Sequence, residues 1–266
     1  MKVNDKVFVV TGGGSGMGRE LCLHLLEKGA SVAMADINEA GMKETAELAG
    51  DAAKRLSIHV LNIADRAKVN ELPDAVLKAH GQVDGIINNA GIIQPFVKVN
   101  ELDFDRIERI MNVNFYGTLY MIKAFLPHLL QRSEAHVANV SSMGGFLPVP
   151  GQSLYGASKA AVKLLTEALH SELQETNVGV TVIFPGAVNT NITKNSDVTT
   201  PSAGDKGGKA MKILQPSEAA RIMIEAIERD KSRVFVGKDS KFMDFMYRLN
   251  PDRAARLIYK NMKDLI

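Results

Sequence analysis

The sequence predicts an α/β fold: a Rossmann-like, doubly wound parallel sheet of about seven strands with helices on both faces. Short apolar runs alternate with longer amphipathic runs along the 266 residues, as in parallel strands joined by right-handed helical crossovers. Most of the short runs are continuously apolar, which is typical of strands covered on both faces. A glycine-rich stretch directly follows the first run. We therefore expect one domain over residues 1–266.

The short apolar runs predict the strands, and the longer amphipathic runs predict the helices. The predicted strands are Val7–Val10, Ser31–Ala35, Ser57–Leu61, Gly85–Ile87, His136–Val140, Val180–Ile183 and Arg233–Val236. The predicted helices are Gly16–Lys28, Glu39–Ala49, Arg66–His80, Phe104–Gln131, Ser153–Thr176 and Ser217–Arg229.

Two segments break the alternation. Thr190–Gln215 is polar and too long for an ordinary connection, and we expect it to be a substrate flap that closes when ligands bind. The tail, 239–266, reads as a C-terminal helical extension.

The tail is predicted to form two helices, the second opened by Pro251. One apolar face is expected to be buried in each helix. These faces comprise Phe242, Phe245, Met246 and Leu249, and then Ala255, Ile258, Met262 and Leu265. Packing against the domain or another subunit is favoured over membrane contact, because the polar face carries both signs of charge.

Composition excludes several classes of protein. The 32 basic and 30 acidic residues are spread along the chain and give a formal net charge of +2, so no block of charge favours nucleic acid. No run of eighteen apolar residues predicts a membrane span. Cys22 is the single cysteine, which fits a core position and a reducing, cytoplasmic location. No metal site is expected.

The glycine-rich stretch Thr11–Gly18 follows the first strand and opens the first helix. A pyrophosphate needs close backbone approach and the free N–H groups of a helix N-terminus, and Gly12, Gly16 and Gly18 meet these needs. Such a loop alone is often only a turn. In this strand–turn–helix context it predicts a dinucleotide site.

Asp36 ends the second strand, eighteen residues after Gly18. A carboxylate there can accept hydrogen bonds from adenosine ribose hydroxyls and would repel a 2′-phosphate. Its structural alternative is an N-cap for the helix that begins near Glu39. No arginine precedes Gly16 in the loop or directly follows Asp36, so NAD is favoured over NADP.

Tyr155 and Lys159 are four residues apart and share one face of a predicted helix. A phenol with a pKa near 10 is a poor base at neutral pH, and a nearby ammonium lowers that pKa. Ser142 lies thirteen residues before Tyr155, where the strand His136–Val140 ends. Open α/β sheets bind their ligands at such strand ends.

Together these motifs resemble the short-chain dehydrogenase/reductase family in its common single-domain form, over nearly the whole chain. The matching motifs are Thr11–Gly18, Asn88-Asn89-Ala90-Gly91, Asn112-Val113-Asn114, Asn139-Val140-Ser141-Ser142, Tyr155-Gly156-Ala157-Ser158-Lys159 and Pro185–Thr190. One departure is Asn62, where the family has an aspartate that contacts adenine. An asparagine carbonyl can still accept that hydrogen bond, and the nearby Asp65 is interpreted as a helix N-cap.

The resemblance implies hydride transfer between NAD(P) and a secondary alcohol or ketone. Tyr155 would be the general acid/base, and Lys159 would lower its pKa and hold the nicotinamide ribose. Ser142 would bind the substrate oxygen, and Asn114 would fix a water. The expected cofactor-binding residues are Gly12, Ser15, Gly16, Met17, Gly18, Asp36, Asn62, Ile63, Asn89, Ala90, Gly91, Tyr155, Lys159, Pro185, Gly186, Val188 and Thr190. The resemblance also implies a homotetramer or dimer that pairs the helices carrying Asn114 and Tyr155.

A neutral small-molecule substrate with an apolar body is expected, because the loops predicted to lie beside the catalytic centre carry no charge. Those residues are Ile92, Ile93, Phe96, Met143, Phe146, Leu147, Val149 and Pro150. Only the flap could bring cations, through Lys194, Lys206, Lys209 and Lys212. The main alternative function is a non-catalytic dinucleotide sensor, which would have no reason to keep Tyr155 and its neighbours. Epimerase-like and enoyl reductase relatives space their motifs differently.

Overall fold

A computed structural model describes residues 1–198 and 213–263. In these residues one sheet of seven parallel strands has the order β3-β2-β1-β4-β5-β6-β7. The strands are β1 Val7–Thr11, β2 Ser31–Asp36, β3 Leu56–Val60, β4 Gly85–Asn88, β5 Ala135–Val140, β6 Val178–Pro185 and β7 Arg233–Val236. The predicted fold class is confirmed, and each strand boundary lies within two residues of its prediction.

Ten α-helices occur in the same residues. They are α1 Gly16–Glu27, α2 Glu39–Leu48, α3 Arg66–His80, α4 Phe104–Met111, α5 Thr118–Leu129, α6 Ser153–Glu172, α7 Ile192–Asn195, α8 Pro216–Glu228, α9 Lys238–Leu249 and α10 Pro251–Met262. The predicted long helix Phe104–Gln131 is interrupted: α4 and α5 are joined by a π-helical segment, Asn112–Gly117.

Two apolar clusters cover the two faces of the sheet. Alternate residues of β1 divide between them: Phe8 and Val10 face the side that carries α1 and α8, and Val7 and Val9 face the side of α3 and α5. This alternation is the two-residue period of a strand with both faces buried. Cys22 is fully buried in the first cluster, as the sequence predicts.

The strand order also determines where a ligand can bind. Going outward from β1, the chain proceeds to β2 and β3 on one side and to β4 on the other. The gap between β1 and β4, at their carboxyl ends, is the topological switch point where doubly wound sheets bind ligands.

The prediction for the face that α9 buries is wrong for three of its four residues, and the fourth, Met246, packs against the apolar cluster as predicted. Phe242, Phe245 and Leu249 are 54%, 59% and 67% exposed, whereas Met243 is buried beside Leu147. In α10, Ala254 and Ile258 are the buried residues and Met262 packs against them, while Leu265 lies outside the described residues. The extension therefore does pack on the domain, but α9 is rotated relative to the prediction.

The predicted flap Thr190–Gln215 is described only at its two ends. Residues 190–198 include α7, and Leu214 forms a bridge with Val188. Lys206, Lys209 and Lys212 fall in 199–212, outside the described residues. None of the described helices combines the length and apolar character needed to cross a bilayer.

Candidate active site

Three glycines of the glycine-rich turn occupy positions where a residue with a side chain would be strained or would clash. Gly12 and Gly16 have φ angles of +74° and +52°, a region that L-residues with a Cβ rarely occupy. A Cβ on Gly18 would overlap the carbonyl oxygen of Gly12, so Gly18 allows α1 to start directly against the turn. Ser15 precedes α1 in an extended conformation and makes no side-chain capping bond, and the N-terminus of α1 faces the switch point.

Thr11 joins this turn to the end of β4. Its hydroxyl oxygen accepts hydrogen bonds from the backbone N–H groups of Asn89 and Ala90, both at 3.0 Å. The Asn89 side chain donates to the Thr11 carbonyl at 3.1 Å. These bonds hold the Asn88–Gly91 motif beside the glycine turn, which brings two distant stretches of sequence to one edge of the sheet.

A cleft of about 450 Å³ opens at this edge. Most of the predicted cofactor residues line it: Gly12, Ser15, Gly16, Met17, Asp36, Asn62, Ile63, Asn89, Ala90, Gly91 and Thr190. Gly18, Tyr155, Lys159, Pro185, Gly186 and Val188 do not. Gly18 packs under the turn, Val188 packs against the core, and Gly186 lies against the carboxylate of Asp239.

Asp36 lines the cleft, and its carboxylate helps to order the turn. One oxygen accepts from Gly14 N and the other from Asn38 N, each at 2.9 Å. Asn38, and not Asp36, caps α2, because its side chain accepts from Gly41 N. The structural alternative considered for Asp36 is therefore wrong.

Asn62 and Asp65 take different positions at the end of β3. Asn62 lines the cleft, and its side-chain oxygen accepts from Ala64 N at 3.0 Å. An amide oxygen has a second lone pair, so this bond leaves acceptor capacity toward the cleft. Asp65 caps α3 by accepting from Ala67 N and Lys68 N, which confirms the prediction.

Tyr155 and Ser142 lie together at the carboxyl end of β5. A Cβ added to Gly144 would be 3.5 Å from both the Ser142 hydroxyl oxygen and the Tyr155 ring. Burial raises the pKa of the Tyr155 phenol, and its hydrogen bond with Ser142 opposes that rise. Ser141 points elsewhere: its hydroxyl donates to the Lys159 carbonyl at 2.7 Å.

Lys159 lies on the same helical face as Tyr155. Its ammonium donates to the Val140 carbonyl at 2.9 Å. Burial lowers its pKa to about 8, because a charged amine is poorly solvated there. The sequence predicts that this ammonium lowers the pKa of Tyr155. In the structure, the hydrogen bond from Ser142 opposes the effect of burial on the pKa of Tyr155, and the effect of Lys159 stays a prediction.

Asn114 lies in the π-helical segment, a type of helix distortion that often occurs at functional sites. Its side-chain oxygen accepts from Ile92 N, and its amide donates to Ile92 O and to the Ser158 hydroxyl, at 2.9–3.0 Å. A Cβ on Gly91 would be 3.1 Å from the Lys159 ammonium and 3.2 Å from the Asn114 oxygen. Asn114, Lys159 and Gly91 therefore meet at one point.

The prediction for the apolar substrate loops is partly wrong. Leu147 is 1% exposed and packs with Met243, and Phe146 contacts the rings of Phe184 and Tyr247. Both side chains therefore serve the packing of the C-terminal extension. Ile92 lines the cleft as expected.

Arg109 and Gln94 were not found from the sequence, whereas the segment 191–197, which includes Lys194, lies in the predicted flap Thr190–Gln215. Arg109 and the segment 191–197 line the cleft, and this segment is bonded to the turn and to the loop after β4 through Asn195–Ser15 and Ile93–Ser196 contacts of 3.0 Å. Gln94 is completely buried beside the start of α6. These residues belong to no recognisable motif. Only the length of the polar segment gave a signal.

The cleft fits a dinucleotide. Its floor is a glycine turn with no space for Cβ atoms, the N-terminus of a helix faces it, and the Asp36 carboxylate lines it. Among the described residues, no group of three or more His, Cys, Asp or Glu side chains could hold a metal ion.

Comparison with known proteins agrees with this geometry. The family profile described as short chain dehydrogenase matches residues 6–200. A Mycobacterium tuberculosis protein named as the oxidoreductase SadH is 35% identical over 259 residues, 95% of this chain and 94% of the relative.

Solved structures give the same result. A short-chain dehydrogenase/reductase of Burkholderia phymatum, in complex with NAD, is 27% identical with a TM-score of 0.80, over 89% of this chain and 90% of that one. A short chain dehydrogenase of Burkholderia cenocepacia, in complex with NADP, shares the fold at 24% identity and a TM-score of 0.80, over 97% and 99% of the chains. The chain therefore belongs to the short-chain dehydrogenase/reductase family of oxidoreductases.

Proposed function

We propose that this protein is an NAD-dependent dehydrogenase or reductase that interconverts a secondary alcohol and a ketone. The observation that carries the proposal is the convergence of Ser142, Tyr155, Lys159 and Asn114 at the carboxyl ends of β4 and β5, next to the dinucleotide cleft. A non-catalytic sensor would need the cleft but not this group.

The four side chains suit proton transfer at an alcohol oxygen. NAD, when bound, supplies the acceptor for the hydride that leaves the carbinol carbon. The Ser142 hydroxyl hydrogen-bonds the substrate oxygen, and Tyr155 as phenolate takes the proton from that oxygen. In the reverse direction the phenol returns the proton as the carbonyl becomes an alkoxide. The Lys159 ammonium favours the phenolate by its charge.

The Gly12–Gly18 turn would hold the pyrophosphate, and Asp36 would accept the adenosine ribose hydroxyls. The charge of Asp36 favours NAD, since a 2′-phosphate would meet a second negative group. Lys159 would also hold the nicotinamide ribose. The Pro185–Thr190 segment remains the proposed neighbour of the nicotinamide.

We also propose that the substrate is neutral with an apolar body, that the protein is located in the cytoplasm, and that it forms a homotetramer. Uncharged loops after β4 and β5 support the first, and the single buried cysteine supports the second. Exposed apolar side chains just outside the two ends of α5 and on α6 support the third: Tyr116, Leu130 and Leu164 are 42%, 46% and 66% exposed.

Tyr155→Phe tests the reaction. The variant keeps the ring and loses the proton, so kcat for oxidation of a responsive alcohol should fall about 10²–10⁴-fold while the dissociation constant of NAD stays the same. The assay follows NADH formation over a panel of secondary alcohols, polyols, hydroxysteroids and hydroxyacyl thioesters. A variant that kept more than roughly half of the wild-type kcat would contradict the role of Tyr155. NAD binding without turnover of any substrate would favour the sensor.

A further inference from the structure

The loop that follows β4 makes an unusual connection to the helix that carries Tyr155. Gln94 in this loop is 0% exposed. Its side-chain oxygen accepts hydrogen bonds from Leu154 N at 2.8 Å and from Tyr155 N at 3.0 Å. Its side-chain amide donates to the carbonyl of Gly151 at 2.8 Å. One buried amide thus binds three backbone groups around the start of α6.

These bonds replace a missing helix cap. The first N–H groups of a helix have no partner within it and are usually satisfied by the side chain of the N-cap residue. The N-cap residue of α6 is Gln152, which makes no such bond. Its side chain instead donates to the backbone carbonyl of Gln94 at 2.8 Å. The side chain of Gln152 thus bonds to the backbone of Gln94, while the side chain of Gln94 caps α6 from about sixty residues away in sequence. We call these bonds, together with the bond from Gln94 to Gly151, the clamp.

The same loop also touches the other parts of the site. Ile92, two residues before Gln94, is held by Asn114 through both of its backbone polar groups. Ile93 donates to Ser196 at 3.0 Å. A shift of this loop would therefore move Asn114, Tyr155 and the 191–198 segment relative to one another.

We propose that Gln94 is a positioning residue that sets the place of the Tyr155 phenol by fixing the first turn of α6. The proposal rests on the proposed function of Tyr155. Gln94 reaches the backbone of Tyr155 and acts through it. Rigid placement matters here, because a misplacement of about 1 Å at a reacting group can cost on the order of 100-fold in rate.

The test compares Gln94→Met with Gln82→Met. Gln82 is partly buried, whereas Gln94 is fully buried, and it is likewise hydrogen-bonded, to Asp84 and Arg132. It precedes β4 and so lies at the amino-terminal ends of the strands, opposite the site. Both substitutions remove amide hydrogen bonds at similar side-chain volume, and both should lower stability in urea. Only Gln94→Met should lower kcat, by about 10- to 100-fold.

A second readout separates positioning from a general loss of structure. Loosening α6 weakens the Ser142–Tyr155 hydrogen bond, so the pH midpoint of kcat/KM should move upward in Gln94→Met and stay in place in Gln82→Met. Ultraviolet titration of the Tyr155 phenol, isolated by subtracting the matching Tyr155→Phe protein, should show the same upward shift without any turnover. If Gln94→Met does not fold, Gln152→Leu, which removes one bond of the clamp, should give a smaller change in the same directions.

Equal kcat in the Gln94→Met and Gln82→Met proteins, with equal phenol midpoints, would overturn the proposal. Failure of the proposed function would look different: the wild-type protein would bind NAD and turn over no substrate. The phenol titration would still report whether Gln94 controls the environment of Tyr155.

Discussion

At the scale of single residues, some polar side chains of the site both stabilise the local backbone and line the cleft. Asp36 illustrates this division. Both of its carboxylate oxygens accept backbone hydrogen bonds, from Gly14 and Asn38, yet the side chain also lines the cleft. It therefore shapes the turn that would hold the pyrophosphate and supplies the negative charge proposed to select the cofactor.

We predict that Asp36→Ala narrows the preference for NAD over NADP by about tenfold or more, because the carboxylate charge would no longer oppose the 2′-phosphate. A tenfold change corresponds to about 1.4 kcal/mol. Asp36→Asn is the matched control for shape, because it keeps a hydrogen-bond acceptor and removes only the charge. The measurement is kcat/KM with each cofactor. If wild type turns over NADP with the higher kcat/KM, Asp36 does not have this role.

At the scale of elements, helices α5 and α6 pack on the core with one face and leave apolar side chains exposed on or beside the other. Met121 and Phe125 of α5 and Leu169 of α6 are buried in one cluster. Leu164 of α6 is 66% exposed. An isolated exposed leucine is ordinary on a protein surface, but here it lies on a helix that the family resemblance assigns to subunit contact.

We predict that Leu164→Glu disrupts self-association. A glutamate there would place a charge in a subunit interface, where an unpaired charge is strongly disfavoured. Light scattering at micromolar concentration should give a smaller mass than for wild type. Leu48→Glu is the control, since Leu48 is 59% exposed at the end of α2 and should keep the wild-type mass. An unchanged mass in Leu164→Glu, or a monomeric wild type, would refute this arrangement.

At the scale of the whole molecule, a buried histidine joins the neighbouring strands β5 and β6 to the turn before β7. His136 is 1% exposed, and its Nε2 lies 2.8 Å from the Thr181 hydroxyl. That hydroxyl donates its single proton to the Lys231 carbonyl at 2.7 Å, so His136 Nε2 must be the donor to it. Burial, followed by the charges of the N-terminus and His170, lowers the pKa of His136 from 6.5 to about 3.

This histidine should make the fold sensitive to acid. Below pH 6.5 the unfolded chain binds a proton at His136, whereas the folded protein binds it only near pH 3. The contribution of neutral His136 to the free energy of unfolding is therefore fully present above pH 6.5 and is lost as the pH falls. The slope from this group is at most about 1.4 kcal/mol per pH unit.

We expect His136→Gln to reduce that slope, since glutamine can still donate to Thr181 and does not titrate. Urea unfolding between about pH 7 and pH 4 measures it, and His128→Gln, a substitution in the last turn of α5, is the control. Parallel stability curves for wild type and His136→Gln would show that His136 is not the responsible group.

Much of the fold and part of the site could be predicted because their signals are local. The alternation of apolar runs located all seven strands and the helices that connect them. Glycine spacing marked the Gly12–Gly18 turn, and the end of the strand His136–Val140 marked the position of Ser142. Each of these features is either the apolar pattern of a single strand or helix or a motif at the end of a strand. It can therefore be recognised without knowing which distant residues pack against it.

The sequence by itself therefore determined the fold class, the family and the residues that carry the proposed chemistry. Only the tertiary structure decided that α9 buries Met243 and exposes Phe242 and Phe245, that Leu147 supports the C-terminal extension, and that Gln94 caps the helix of Tyr155. The physical reason is that an apolar stripe or a polar amide has no partner in its own stretch of chain. Which neighbour buries or bonds it depends on how distant segments meet, and the order β3-β2-β1-β4-β5-β6-β7 sets that meeting.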